Sequence, residues 1–322
     1  MAVYTKITKR DLSVIEKSFN LEKIITFNGI KQGIENTNYL IKTKSKKYIL
    51  TIFEKRVQKK ELPFFMKLMD DLNKKNINCP KPLKNKKNIY LITLKKKPAC
   101  IVTFVNGKDK KKLNSKECYL VGKNIGILHK ASSKIKLFRK NTLPGNNLGS
   151  LLKSIKFPSN KDTSELQKIL KLNLNDVKKK WPSNLPKGII HADLFVDNIF
   201  FKKNKFEGFI DFYFSCNDFM MYEIAICINA LCFDKKKTKF VINTKKVNNL
   251  INGYNSIRKI SKKEKDSLNT LCRGAALRYL LTRIYDYYNT PKTALIKVKD
   301  PSEYFQKLII HNNLNLYKDY YN

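Results

Sequence analysis

Apolar residues recur at helical spacing from the start of the chain. Leu12, Ile15 and Phe19 share one side of a segment that opens at Thr8-Lys-Arg-Asp11, which predicts a helix to about residue 19. The period then changes. Residues 24–27, 39–43 and 48–53 are short runs rich in branched and aromatic side chains and read as strands, the last two parted by the polar turn 44–47. Leu62, Phe65, Met66, Met69 and Leu72 restore the helical period over 61–74. Cys79-Pro80-Lys-Pro82 breaks it, 89–93 and 99–105 supply two more strands, and Asn106-Gly107 marks a crossing. Beyond it helices are expected over 118–131, 150–156, 164–180, 222–233 and 264–288, with the single Trp181 as a core anchor. The pattern predicts an α+β protein of two lobes. Residues 1–105 form a small antiparallel-sheet lobe and 106–322 a larger, mostly helical one.

One stretch of the second half departs from the helical pattern. Gly188-Ile-Ile190 is a short apolar strand that runs into His191-Ala-Asp193-Leu-Phe-Val-Asp-Asn198. This is the H-x-D-x-x-x-x-N spacing of a kinase catalytic loop. A phosphoryl acceptor needs a carboxylate to orient its hydroxyl and take the proton, and Asp193 is the candidate base. His191 is expected to hold the loop by hydrogen bonds. A nucleotide-bound metal needs hard oxygen ligands, and Asn198 offers a neutral one. Residues 199–201, the turn 202–205 and 206–210 read as a hairpin that returns Asp211 toward Asn198 as a second metal ligand. A lone aspartate would read as a cap or a turn. The full spacing, the hairpin and the Asp211-Phe212 pair together point to a phosphotransferase.

The first lobe fits a nucleotide-covering sheet: strand, glycine-containing turn, strand, turn, strand. Gly29 and Gly33 would let the backbone approach phosphate closely, with Asn36, Thr37 and Asn38 as added donors.

Composition changes this picture little. The formal net charge of +40 invites a nucleic-acid partner, yet only seven of the 66 basic residues are arginines, and the lysines are dispersed. A basic RNA-binding module is the non-enzyme alternative. Seven cysteines without a CxxC pair read as reduced core residues, and His129, His191 and His311 are too scattered for a zinc site. No leader and no membrane-spanning run is read in the chain, so a soluble, cytoplasmic protein is expected.

Three segments resemble homoserine kinase of the aminoglycoside-phosphotransferase, protein-kinase-like fold. They are Ile190-His-Ala-Asp-Leu-Phe-Val-Asp-Asn198, Phe209-Ile-Asp-Phe-Tyr-Phe-Ser-Cys-Asn-Asp218 and Arg273-Gly-Ala-Ala-Leu-Arg-Tyr-Leu-Leu-Thr-Arg-Ile-Tyr-Asp286; Asn36-Thr-Asn-Tyr39 and Pro63-Phe-Phe65 are similar too. The resemblance implies transfer of phosphate from ATP to L-homoserine, a step of threonine biosynthesis, with Asp193 as base and Asn198 and Asp211 holding Mg2+. Two features depart from kinases generally. Thr51 stands where a kinase usually places its phosphate-binding lysine, leaving Glu61 without an evident partner; Lys31 or Lys55 could substitute. Asp211 is followed by Phe-Tyr, and no A-P-E segment or room for an activation loop follows, so a small-molecule substrate is expected. For that acceptor Asp218 is the candidate ammonium partner and Arg283 the candidate carboxylate partner, although Arg278 and Arg283 could each be a surface charge. A kinase of choline or of an aminoglycoside is the alternative within the class. Oligomeric state is left open.

Overall fold

The computed structural model describes residues 4–30, 36–54, 58–290, 298–314 and 317–321. The chain divides into two compact units, Met1–Gly107 with Glu207–Tyr213, and Lys108–Phe206 with Phe214–Asn322.

In the first unit α1 (Lys9–Phe19) starts at a capping box, in which Thr8 and Asp11 satisfy each other's backbone N–H groups. The strands β1 (Thr26–Gly29), β2 (Thr37–Lys42) and β3 (Lys47–Ile52) follow, then α2 (Leu62–Lys74), β4 (Leu91–Leu94) and β5 (Lys97–Thr103). They form one antiparallel sheet in the order β1-β2-β3-β5-β4. Period-two burial puts Tyr39 and Ile41 of β2 inward with Leu50, Ile52 and Ile101, and the apolar stripe Leu12-Ile15-Phe19 of α1 closes that core. The first and fourth strands lie about two residues later than their apolar runs suggest. Edge positions such as Ile25 and Ile89 stay exposed, so their side chains carry little register information.

The second unit holds α3 (Ser115–Ser132), α4 (Gly149–Lys153), α5 (Lys161–Lys180), β6 (Lys187–Ile190), β7 (Ile199–Lys202) and β8 (Lys205–Phe209), the last straddling the division between units. Then come β9 (Cys216–Phe219), α6 (Met220–Leu231), β10 (Phe233–Lys236), β11 (Lys239–Ile242), α7 (Thr244–Asn255), α8 (Lys262–Asp266), α9 (Leu268–Asn289) and α10 (Ser302–Asn312). Helices α6 and α9 form the centre: Met220–Ile228 is buried without a break, and α9 is buried from Leu271 to Leu281. A helix apolar all round belongs inside. Among the described residues no helix is long and apolar enough to cross a membrane.

Helices α3 and α7 touch backbone to backbone. A Cβ at Gly122 would overlap the Leu250 carbonyl oxygen, and one at Gly253 the Tyr119 carbonyl oxygen. Only glycine at both positions allows this approach. The strand β9 and the hairpin β10–β11 were not foreseen: Cys216-Asn-Asp-Phe219 and the lysine-rich Phe233–Ile242 lack the alternation that marks a strand. The long helix expected over 264–288 breaks near Ser267 into α8 and α9.

Candidate active site

The strand β6 pairs with β9, matching Ile190 to Cys216 and Gly188 to Asp218, and releases the chain at His191. There the backbone turns against its preference. Ala192 has φ 65°, a left-handed conformation that costs a non-glycine residue about 1–2 kcal/mol. The surrounding hydrogen bonds hold it there. The carboxylate of Glu223, wholly buried on α6, accepts from the backbone N–H groups of His191 and of Ala192, the latter at 3.1 Å. On the other side, the Ala192 carbonyl accepts from Arg278 Nη1 at 2.9 Å and from the Tyr279 hydroxyl at 3.1 Å, both on α9. The same hydroxyl lies 3.3 Å from Asp193 Oδ1.

Asp193 in turn organises the residues after it. Its carbonyl accepts from Phe195 N at 2.9 Å and from Asn198 Nδ2 at 2.8 Å, and Asn198 Nδ2 lies 3.4 Å from Asp193 Oδ2. With its amide nitrogen turned to Asp193, Asn198 points its side-chain oxygen the other way. His191 is buried completely, and its backbone N–H donates to Glu223; its ring is not at a surface. His129 is buried in the last turn of α3. Its Nδ1 lies 2.9 Å from Tyr254 Oη, and Nε2 stands 4.0 Å from Glu223.

Asp218 lies on β9, next to β6. Its Oδ2 accepts from Asn141 Nδ2 at 2.6 Å and its Oδ1 from Phe219 N at 2.7 Å. Burial raises its pKa, and the Asn141 amide offsets part of that rise. Asn141 was not foreseen, since the polar segment around it carries no periodicity. Arg139 and Asn217 hold that segment: the Arg139 N–H donates to Asn217 Oδ1 and the Asn217 N–H to the Arg139 carbonyl, each at 2.8 Å.

Two of the three arginines of α9, Arg278 and Arg283, differ in their surroundings. Arg278 is 2% exposed and bonds the catalytic loop, so it is no surface charge. Arg283 faces elsewhere. Its guanidinium bonds Glu303 at 2.7 Å and the Asp300 carbonyl at 2.9 Å, and stacks over Tyr304. The guanidinium that the sequence offered as a candidate carboxylate partner is thus matched within the chain. Tyr279 was missed: within an apolar helix a tyrosine reads as packing.

In the first unit, Asp211 follows β8 with φ 64°, and Tyr213 anchors its segment. The Tyr213 ring packs edge-on to Phe53 and Phe65 at 5.0 and 5.8 Å, with its hydroxyl 3.8 Å from Cys100 Sγ. That packing accounts for a tyrosine where kinases have glycine. Thr51 is buried and donates to Asn38 Oδ1 at 2.8 Å across the β2–β3 pair, and Asn36 Oδ1 lies 3.4 Å from Glu54 N. The Thr37 hydroxyl has partners within the unit. It is buried, accepts from the Tyr4 and Thr5 N–H groups and donates to Glu54, which also pairs with Lys97. Gly29 ends β1 opposite Tyr39. Gly33, Lys31 and Lys55 lie outside the described residues.

Residues 26–243 match the family described as the phosphotransferase enzyme family. The chain is 39% identical to the homoserine kinase of Rhodopseudomonas palustris (strain BisA53) over 320 residues, covering 99% of this chain and 97% of that protein. It is 39% identical to that of Bradyrhizobium diazoefficiens over 321 residues, covering 99% and 97%. The fold is shared with the amicoumacin kinase hAmiN, solved with AMP-PNP, Ca2+ and Ami, at TM-score 0.75 and 12% identity over 96% of this chain and 95% of that one. The microcompartment-associated aminopropanol kinase shares it at TM-score 0.70 and 13% identity, covering 94% and 96%. With Asp193 and Asn198 held on one loop and full-length relatives of one kind, the chain belongs to the homoserine kinase family of phosphotransferase enzymes.

Proposed function

We propose that this protein transfers the γ-phosphoryl group of ATP to the side-chain hydroxyl of L-homoserine, giving ADP and O-phospho-L-homoserine. The observation that carries the reading is the loop around Ala192, a strained backbone held on both sides so as to present Asp193. The full-length likeness to homoserine kinases selects the acceptor.

Asp193 accepts the proton of the acceptor hydroxyl as the new O–P bond forms and the bond to ADP breaks, and it orients that hydroxyl beforehand. The donor chemistry fits Mg2+, which takes hard oxygen ligands: the Asn198 amide oxygen and the Asp211 carboxylate would hold it. When bound, the ion neutralises phosphate charge and fixes the phosphate oxygens. Asp218 receives the substrate ammonium, its carboxylate kept in place by Asn141. The first unit takes the nucleotide, with Gly29 and the Asn36–Asn38 segment nearest in sequence to the phosphate-covering turn. A reaction that consumes ATP on a free amino acid suits the cytoplasm.

The test compares kcat/KM for homoserine, 4-hydroxybutyrate and choline. A site built around an ammonium partner rejects the analogue lacking it by roughly 10⁴-fold. Homoserine is expected to lead by such a margin over 4-hydroxybutyrate. Faster turnover of choline would overturn the assignment.

A further inference from the structure

We propose that Arg278 and Tyr279 are positioning residues for the catalytic base, acting on Asp193 through the Ala192 peptide; this rests on the kinase reading above. Three observations combine. Ala192 sits in the left-handed region, so the loop's direction at Asp193 depends on what holds that one peptide. Its carbonyl is gripped by two donors from consecutive residues of α9, at 2.9 and 3.1 Å, whereas its N–H is gripped from α6 by Glu223. The second donor, Tyr279 Oη, is also within 3.3 Å of Asp193 Oδ1. A phenol carries one proton, so Tyr279 shares it between the peptide that aims the base and the base itself.

The surroundings make this grip stiff. Arg278 and Tyr279 are both buried, and the Tyr279 ring is fixed by Phe195 edge-on at 4.8 Å and by Tyr304 at 5.2 Å. The Arg278 guanidinium lies over the Phe214 and Tyr279 rings, and the Asp193 carboxylate attracts it. Burying a cation is costly, and a packed apolar side chain would be the cheaper core residue here. Its bond is to a backbone carbonyl beside the reacting carboxylate. The cost is met because the cation fixes geometry, and a misplacement of about 1 Å at a reacting group can lower rates by about 10²-fold.

The experiment is a double-mutant cycle with Tyr279→Phe and Asp193→Asn, each measured for kcat, both KM values and Tm. Tyr279→Phe keeps the ring and removes the hydroxyl. It is expected to lower kcat by about 10-fold, leaving homoserine and ATP KM within about threefold, because the loss is in the transition state. In the Asp193→Asn background the same change should cost less than about twofold, since a residue that acts through Asp193 has nothing left to aim. Arg278→Lys, which keeps the charge and shortens the reach, should lower kcat further than Tyr279→Phe; if it fails to fold, the cycle on Tyr279 still decides. Equal losses in both backgrounds, a change in KM instead of kcat, or no loss at all would overturn the inference. Near-normal turnover by Asp193→Asn alone would instead overturn the kinase assignment of Asp193.

Discussion

Asn141 donates to Asp218 at 2.6 Å, and this bond joins an irregular polar segment to the strand beside the catalytic loop. Burial raises the Asp218 pKa above its ordinary value, so the carboxylate becomes neutral at a higher pH than an exposed one. A neutral Asp218 no longer attracts an ammonium. Homoserine KM should therefore rise as pH falls through the raised Asp218 pKa, while ATP KM stays flat. Asn141→Ala removes a bond that favours the charged form, so it should move that rise to higher pH. Parallel KM–pH profiles for wild type and variant would exclude the link.

Asp193 and Asp211 should fail differently when neutralised. Removing a positioned general base costs about 10²–10⁴ in rate. Asp193→Asn should thus lose kcat and keep nucleotide affinity. Asp211→Asn removes a charged metal ligand and should raise the Mg2+ concentration needed for half-maximal activity. Titrations of rate against Mg2+ for both variants separate the two roles; identical Mg2+ dependence would refute the assignment of Asp211.

The reach of sequence reasoning can be judged from these same residues. The association of Asp193 with Asn198 is legible because their spacing is set within one loop, where chain distance approximates space. Thr51 and Asn38 illustrate the intermediate case: both were singled out, but their mutual bond depends on the β2–β3 register. Glu223, Arg278 and Tyr279 were not legible. They reach the loop from 31 to 87 residues away, on helices buried over most of their length, so periodicity gives no hint of which face turns to the loop. The pairing of Arg283 was not legible for a related reason. Its partner Glu303 lies 20 residues on, in a helix whose placement the intervening sequence does not reveal.

The crossing of α3 and α7 should tolerate no side chain at its closest point. A Cβ on Gly253 meets the Tyr119 carbonyl, and one on Gly122 meets that of Leu250; both obstacles are backbone and cannot rotate away. Gly253→Ala should destabilise by about 3 kcal/mol or more, beyond the gain alanine brings to a helix. Chemical denaturation measures this. A variant as stable as wild type would mean that the helices separate freely.

His311 should make the fold acid-sensitive. It is fully buried, bonded at 2.9 Å to Tyr320 Oη and 3.1 Å from Asn229 Oδ1, and burial lowers its pKa to about 3. The unfolded chain binds a proton at this residue below about pH 6.5, and the folded chain does not until far lower. Between those values the unfolded state holds more protons, so stability falls as pH is lowered from about 6.5 toward 3. Thermal unfolding from pH 8 to pH 4 should show this, and His311→Gln should flatten that part of the slope. An unchanged slope would assign the acid sensitivity to other groups.

Arg283 is expected to matter for stability more than for substrate. Its guanidinium bonds Glu303 of α10 at 2.7 Å and the Asp300 carbonyl at 2.9 Å, and Glu303 also holds Lys307 at 2.6 Å. Burial opposes the Glu303 charge, but Lys307 and Arg283 outweigh it and lower its pKa. Such a carboxylate contributes stability above its unfolded pKa and loses it as pH falls. Removing Arg283 leaves Glu303 with one cation and an emptied stacking place on Tyr304. Arg283→Ala should therefore cost about 1–3 kcal/mol and leave homoserine KM within about threefold. A residue gripping the substrate carboxylate would behave in the opposite way, because loss of a buried charged bond to a ligand costs about 2–5 kcal/mol of binding. Stability and KM measured on the same variant decide between them. A large rise in KM with unchanged Tm would show that Arg283 leaves Glu303 when homoserine binds.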